Sequence, residues 1–225
     1  MQNLVPRLHH LMMRHMIETG HPPEFPRLCE LAALPAGEVE RGIRELERMH
    51  GVILVPGTLR VWSLHPFAAM PTRFWVSTGK NGWWANCGWC ALAVGAMLEE
   101  DITVTTGEGG EGRAIEFRVA NGQASDPELL LHFPYPPARW WENPLCPCAN
   151  ILFFRSESAI EEWCLRHHHP RGSALSMEKA VRLAGLWFGD YASPDWRRKT
   201  PEQAAAIFAE LGLDPDFWTM PASFR

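Results

Sequence analysis

Four of the chain's six cysteines fall in two tight pairs, Cys87-Gly-Trp-Cys90 and Cys146-Pro-Cys148. In a protein of a reducing compartment, close pairs of this kind are metal-binding or catalytic more often than they are structural bridges. Cys87 and Cys90 open an apolar run, Ala91-Leu92-Ala93-Val94, that reads as part of a buried helix spanning Gly82 to Glu99. At a helix N-terminus the amide dipoles favour thiolate over thiol, which makes these sulfurs candidate nucleophiles. Cys146 and Cys148 follow Asn143-Pro144-Leu145, which reads as an irregular loop, and precede the apolar strand Ile151-Leu152-Phe153-Phe154. If the two segments converge, three or four thiolates face one another. Such soft donors select Hg(II), Cu(I) or Zn(II) over hard cations, so Cys87, Cys90, Cys148 and Cys146 are the candidate metal ligands.

Other readings of the same residues stay open. A structural zinc site also uses two close cysteine pairs, although a CxC pair fits a zinc knuckle poorly. Buried thiols also pack as small hydrophobes, the reading given to Cys29 and Cys164 at isolated apolar positions. The tryptophans beside the pairs, Trp83, Trp84, Trp89, Trp140 and Trp141, point to a lined pocket. His167, His168 and His169 are contiguous, and adjacent helical positions point in different directions. They read as a solvated helix end before Pro170 and not as a ligand set.

The elements that must position these residues follow from periodicity. Residues 1–63 read as three helices and a short hairpin, the order of a winged helix-turn-helix: apolar Leu8, Leu11, Met12 and Met16, then a short helix from Pro26 to Ala33, then Val39, Ile43 and Leu46 on one face, then Val52–Val55 and Leu59–Trp62 around Pro56-Gly57. DNA binding is not expected of it, because Arg7, Arg14, Arg27, Arg41, Arg44, Arg48 and Arg60 are matched by Glu18, Glu24, Glu30, Glu38, Glu40, Glu45 and Glu47. Four of those carboxylates fall on the third helix, where phosphate would repel them. A proline-punctuated connector (His65-Pro66-Phe67, Pro71-Thr72) leads to a strand at Phe74-Trp75-Val76 and to paired strands at Ile102–Thr105 and Ala114–Val119. The glycine-rich turn between that pair lacks the Lys-Ser/Thr ending of a phosphate loop. A helix at Ser158–Arg166 and C-terminal helices at Ser176–Trp187 and from Thr200-Pro201 to Leu211-Gly212 complete the pattern. The expected fold is α+β, with a winged-helix-like domain over residues 1–66 and a mixed α/β domain with antiparallel strands and C-terminal helices over 67–225.

Composition adds limits. The 225 residues are 46% hydrophobic, with 11 Trp and 11 Phe against 2 Tyr, ample for a packed core. A net charge of −5 offers no attraction to nucleic acid or to an anionic membrane. No apolar run approaches the roughly 20 residues of a membrane span, and the first residues lack a signal-peptide core, so a cytoplasmic location follows by default.

Taken together, the segments resemble the organomercurial (alkylmercury) lyases. The resemblance rests on the winged-helix-like start leading into His65-Pro66-Phe67 and Pro71-Thr72, on Cys87-Gly-Trp-Cys90-Ala-Leu, on Cys148 ahead of Asn150–Phe154, and on the helix from Ser156 ending at Trp163. It implies that two cysteines and one aspartate cleave a carbon–mercury bond, the cysteines being Cys87 and Cys148. Cys90 stands at the aspartate position, a departure that makes it the candidate acid and a third soft ligand. In the other register Cys90 is the first family cysteine and Ala93 falls at the acid position. The implied reaction takes a small organometallic substrate to hydrocarbon and Hg(II), with Cys87, Cys90 and Cys148 catalytic and no cofactor required. The alternatives are a non-catalytic Cu(I), Zn(II) or Hg(II) binder, a relative recruited to another lyase or cyclase reaction, and a metal-sensing regulator.

Overall fold

In the computed structural model, which describes residues 4–140, 142–143 and 145–221, the chain is α+β, with two antiparallel sheets and eight α-helices among those residues. Trp141 and Pro144 lie outside the described residues. The chain begins with α1 (Leu4–Thr19), α2 (Phe25–Ala32) and α3 (Ala36–Arg48), followed by β1 (Ile53–Leu54), β2 (Val61–Leu64), β3 (Phe67–Ala68), β4 (Phe74–Ser77) and β5 (Gly82–Ala85). Next come α4 (Gly88–Leu98), β6 (Ile102–Gly107), β7 (Ala114–Ala120), β8 (Gln123–Ala124), β9 (Leu130–Phe133), α5 (Leu145–Asn150) and β10 (Leu152–Phe154). The chain continues through α6 (Glu157–His167), β11 (Ser173–Ser176), α7 (Met177–Phe188) and α8 (Pro201–Glu210). None of these helices is long and apolar enough to cross a membrane.

The N-terminal helices form because their apolar residues recur on one face: Leu8, Met12 and Met16 of α1 are buried against Val39, Ile43 and Leu46 of α3. Gly42 permits the close approach, since a Cβ there would lie 2.3 Å from Leu8 Cδ1. Two of the four glutamates of α3 are engaged by its own arginines, Arg44 with Glu47 and Arg48 with Glu45. The β1–β2 hairpin is not a separate wing. Leu64 pairs with Phe67 of β3, and β3 pairs with β5, so the hairpin becomes the edge of an eight-stranded sheet ordered β1-β2-β3-β5-β4-β6-β7-β8. The second sheet, β10-β9-β11, brings together strands from three distant parts of the chain.

Two local expectations are corrected. The helix expected from Gly82 starts only at Gly88. Gly82-Trp83-Trp84-Ala85 forms β5, in full antiparallel register with Phe74–Ser77. A continuous apolar run does not by itself distinguish a buried strand from a buried helix, and here the neighbouring strand decided it. The loop expected before the second cysteine pair gives way to the helix α5 from Leu145. Two strands that line the interior, β9 and β11, were not expected at all. The cap of α8 was legible in the sequence, and that of α6 was not. Ser156 accepts from Ala159 N, and Thr200 and Gln203 form a reciprocal capping box at α8.

The buried helix α4 is the centre of the molecule. Nine of its eleven residues are buried, with β4, β5 and β6 on one side and α7 and β10 on others. A helix apolar all round has no face to give to solvent, so it must be enclosed.

Candidate active site

Cys87 is the N-cap of α4 and adopts an extended backbone (φ −157°, ψ 178°), and its sulfur accepts from Cys90 N at 3.3 Å. The sulfur thus takes the place of the usual Ser or Asp oxygen, satisfying one of the amides that every helix start leaves open. One turn on, Cys90 is also buried. The start of α4 is anchored to the second sheet by Gly88, whose amide donates to Ile151 O at 2.8 Å. Only glycine fits: a Cβ would lie 2.7 Å from Leu131 Cδ1 and 3.0 Å from Phe153 Cε2. Gly88→Ala should therefore cost about 1–3 kcal/mol by overpacking and part the two cysteine segments. A urea titration would register this as a lower midpoint, and an unchanged midpoint would mean that the contact is not rigid.

Cys148 arrives from α5. Residues two apart on a helix are separated by about 200°, so Cys146 and Cys148 cannot face the same way. Cys148 is partly buried and turned inward, whereas Cys146 is exposed and lies beside Tyr135. The pairing Cys146-Pro-Cys148 therefore delivers one sulfur to the interior, not two.

A residue that the sequence offered as connector and as part of the family resemblance, but not as a ligand, completes the group. His65 Nε2 lies 3.3 Å from Cys148 Sγ, and the donor atoms of His65, Cys90 and Cys148 are all within 4.8 Å of one another. Its one sequence signal was a histidine at the two-residue turn between apolar strands, which is weak without knowledge of what the turn faces. Cys87 lies behind this set, fully buried, with the Cys148 and Cys90 thiols directed at its sulfur.

These contacts order the three sulfurs electrostatically. Burial pushes the Cys87 thiol up, but hydrogen bonds from the Cys148 and Cys90 thiols and the Cys90 amide, with His65 nearby, outweigh it and hold Cys87 well below the usual thiol range. Burial, and hydrogen bonds to the other two sulfurs, push Cys90 well above that range. Cys148 is raised too, chiefly by its hydrogen bond to Cys87. Of the three sulfurs, Cys87 is the most readily ionised, and Cys90 and Cys148 hold their protons more tightly. Burial lowers His65, leaving a neutral imidazole.

Cys90, Cys148 and His65 open onto a cavity of about 70 Å³. A single water needs roughly 10–15 Å³, so a small organic group fits. Its walls are Trp89, Trp140, Trp187 and Phe188, with Trp89 at 5.4 Å from Trp140, 5.3 Å from Trp187 and 4.9 Å from Phe188 between ring centroids. Tyr191 contributes a phenol that burial keeps protonated, and it accepts from Trp187 Nε1 at 3.2 Å. Of the five tryptophans expected to line a pocket, Trp89 and Trp140 do so. Trp83 instead donates to Met16 O at 3.1 Å, and Trp84 packs on Trp75. Trp187 and Phe188 come from α7, which the resemblance did not reach.

The remaining candidates are elsewhere. His167 faces Glu111 at 2.7 Å and His169 stacks on Trp163, so the contiguous histidines diverge. Cys164 is buried near His132, and Cys29 is half-buried on α2.

Comparison with known proteins bears on the fold and the family. A structure described as the mercury-bound form of MerB2 superposes with a TM-score of 0.64 at 17% identity, covering 86% of this chain and 93% of that one. At that identity the likeness establishes the fold. No curated protein sequence matches. The sequence matches the MerB alkylmercury lyase family over residues 67–189, which holds both cysteine pairs and most of the cavity wall. With more than half of its length in that match, the chain belongs to the alkylmercury lyase family.

Proposed function

We propose that the protein cleaves the carbon–mercury bond of small organomercurials by protonolysis, releasing hydrocarbon and Hg(II). The observation that carries the reading is the convergence of three cysteine sulfurs, with Cys87 the most readily ionised of them, at the end of a small aromatic cavity. Cys148, the most accessible of the three sulfurs, meets R–Hg⁺ first. Its proton passes to the Cys87 thiolate, with which it already shares a hydrogen bond, and a Cys148 sulfur–mercury bond forms. Cys90 then gives its proton to the carbon. The carbon–mercury electron pair forms the new C–H bond, R–H departs, and the Cys90 sulfur takes the vacated position on mercury. Charge balances: R–Hg⁺ and one thiolate become R–H and a neutral bis-thiolate mercury site, with Cys87 protonated. The indole walls receive the organic group and keep water from the reacting bond. The thiols must be reduced for this, which suits a cytoplasmic setting.

The test is turnover of phenylmercury by the reduced protein, with benzene measured in the headspace. One benzene per Hg(II) formed, well above a free-thiol control, is the expected result. Benzene no faster than the control, with one equivalent of a metal held through the same cysteines, would leave a binding protein and end the enzyme reading.

A further inference from the structure

We propose that His65 is a ligand of the mercury ion, supplying the one non-sulfur donor of the site through Nε2. This rests on the reading of the cavity as the place where Hg(II) is formed. No Asp or Glu occurs among the described residues that line the cavity, so any donor other than sulfur must come from a neutral group. Of the two histidines that line the cavity, His50 and His65, the one grouped with the sulfurs is His65, whose Nε2 lies 3.3 Å from Cys148 Sγ and within 4.8 Å of the Cys90 sulfur. Imidazole nitrogen is a borderline donor, acceptable to a soft ion already held by two thiolates and weaker than a third one.

The residue is held in place as a ligand should be. His65 stands in the turn that joins β2 to β3, where Leu64 and Phe67 pair directly. Asn86 secures that turn, its side-chain amide donating to Pro66 O at 3.1 Å and Phe67 O at 2.8 Å, and its backbone N–H to Pro66 O at 3.1 Å. Asn86 directly precedes Cys87, so the imidazole and the first cysteine segment are tied together through one side chain. Such outer-shell anchoring fixes ligand direction.

The ligand role is tested by offering HgCl₂ to reduced wild-type protein and to His65→Gln and His65→Ala, without any organomercurial. Absorption-edge spectroscopy should find nitrogen beside sulfur around mercury in the wild type and sulfur alone in both variants. The His65 ring-nitrogen resonance of the wild type should move on Hg(II) binding, a readout that needs no variant to fold. Competition with a dithiol should show about tenfold weaker Hg(II) retention in the variants. A sulfur-only shell in the wild type, or an unmoved ring-nitrogen resonance with Hg(II) bound, overturns the assignment, as does failure to take up Hg(II). Because Hg(II) is supplied directly, the result stands apart from benzene release, which decides the proposed reaction.

Discussion

Replacing Cys148 with Ala should lower benzene release from phenylmercury by about a thousandfold or more, the scale on which loss of an activated nucleophile is felt. Cys148 and Cys90 both line the cavity, but Cys148 is only partly buried and Cys90 is buried, while Cys87 lies behind them and does not line it. An entering mercury atom therefore meets the more exposed Cys148 sulfur first. Removing it also takes a hydrogen-bond donor from Cys87 and a partner from His65, so neither remaining thiol is presented as before. Cys146→Ala is the matched control. Its side chain faces outward from the same short helix, and the rate should change by less than about twofold. A headspace time course at saturating phenylmercury separates the two variants. Equal rates for Cys148→Ala and the wild type would remove the mechanism.

Cys90 carries the second large effect, because it is asked to supply a proton and then to hold the ion. Cys90→Ser exchanges a thiol for a weaker acid and a hard donor, and cleavage should fall by about a hundredfold with weaker Hg(II) retention. Cys90→Asp should behave differently. A carboxyl at this buried position, beside the Cys87 thiolate, is held in its protonated form by burial and by the adjacent negative charge, so it remains an acid that can give a proton. It should keep more cleavage than the serine variant and release Hg(II) to a chelator faster than the wild type. Rapid mixing with a chromogenic chelator measures that release. Indistinguishable retention in wild type and both variants would make Cys90 a packing residue.

The chemistry of the site was legible from its sulfurs because thiols are rare and these were clustered. What the spacing meant was less legible. Cys146 and Cys148 would share a face in a strand and oppose each other in a helix, so their roles turned on whether six residues around Pro147 coil. They do, and only Cys148 turns inward. Gly82–Ala85 was misassigned for a related reason: its apolar residues suit helix or strand equally, and the decision lies in pairing with Phe74–Ser77, remote information for any local pattern. His65 was passed over because a lone histidine at a turn carries no indication of the partner it faces. The helices α3 and α6, with their periodic apolar faces, and α8, with its capping box, were found because their evidence is local.

The site's donors are distributed over a hairpin turn, a helix start and a separate short helix, all distant in sequence. Ion binding is consequently coupled to the folding equilibrium. A ligand that prefers the native chain raises its stability by RT ln(1 + [L]/Kd), about 4.1 kcal/mol at a thousandfold excess over Kd. Cys87 and Cys90, however, remain neighbours when the chain unfolds, and the local pair can still chelate a soft ion there. The stabilisation obtained is therefore the difference between that local chelate and the complete native set. Metals that two thiols satisfy equally well in either state will leave the melting temperature almost unmoved. An ion that also uses Cys148 will raise it, so thermal shifts rank metals by how much of the tertiary structure they engage.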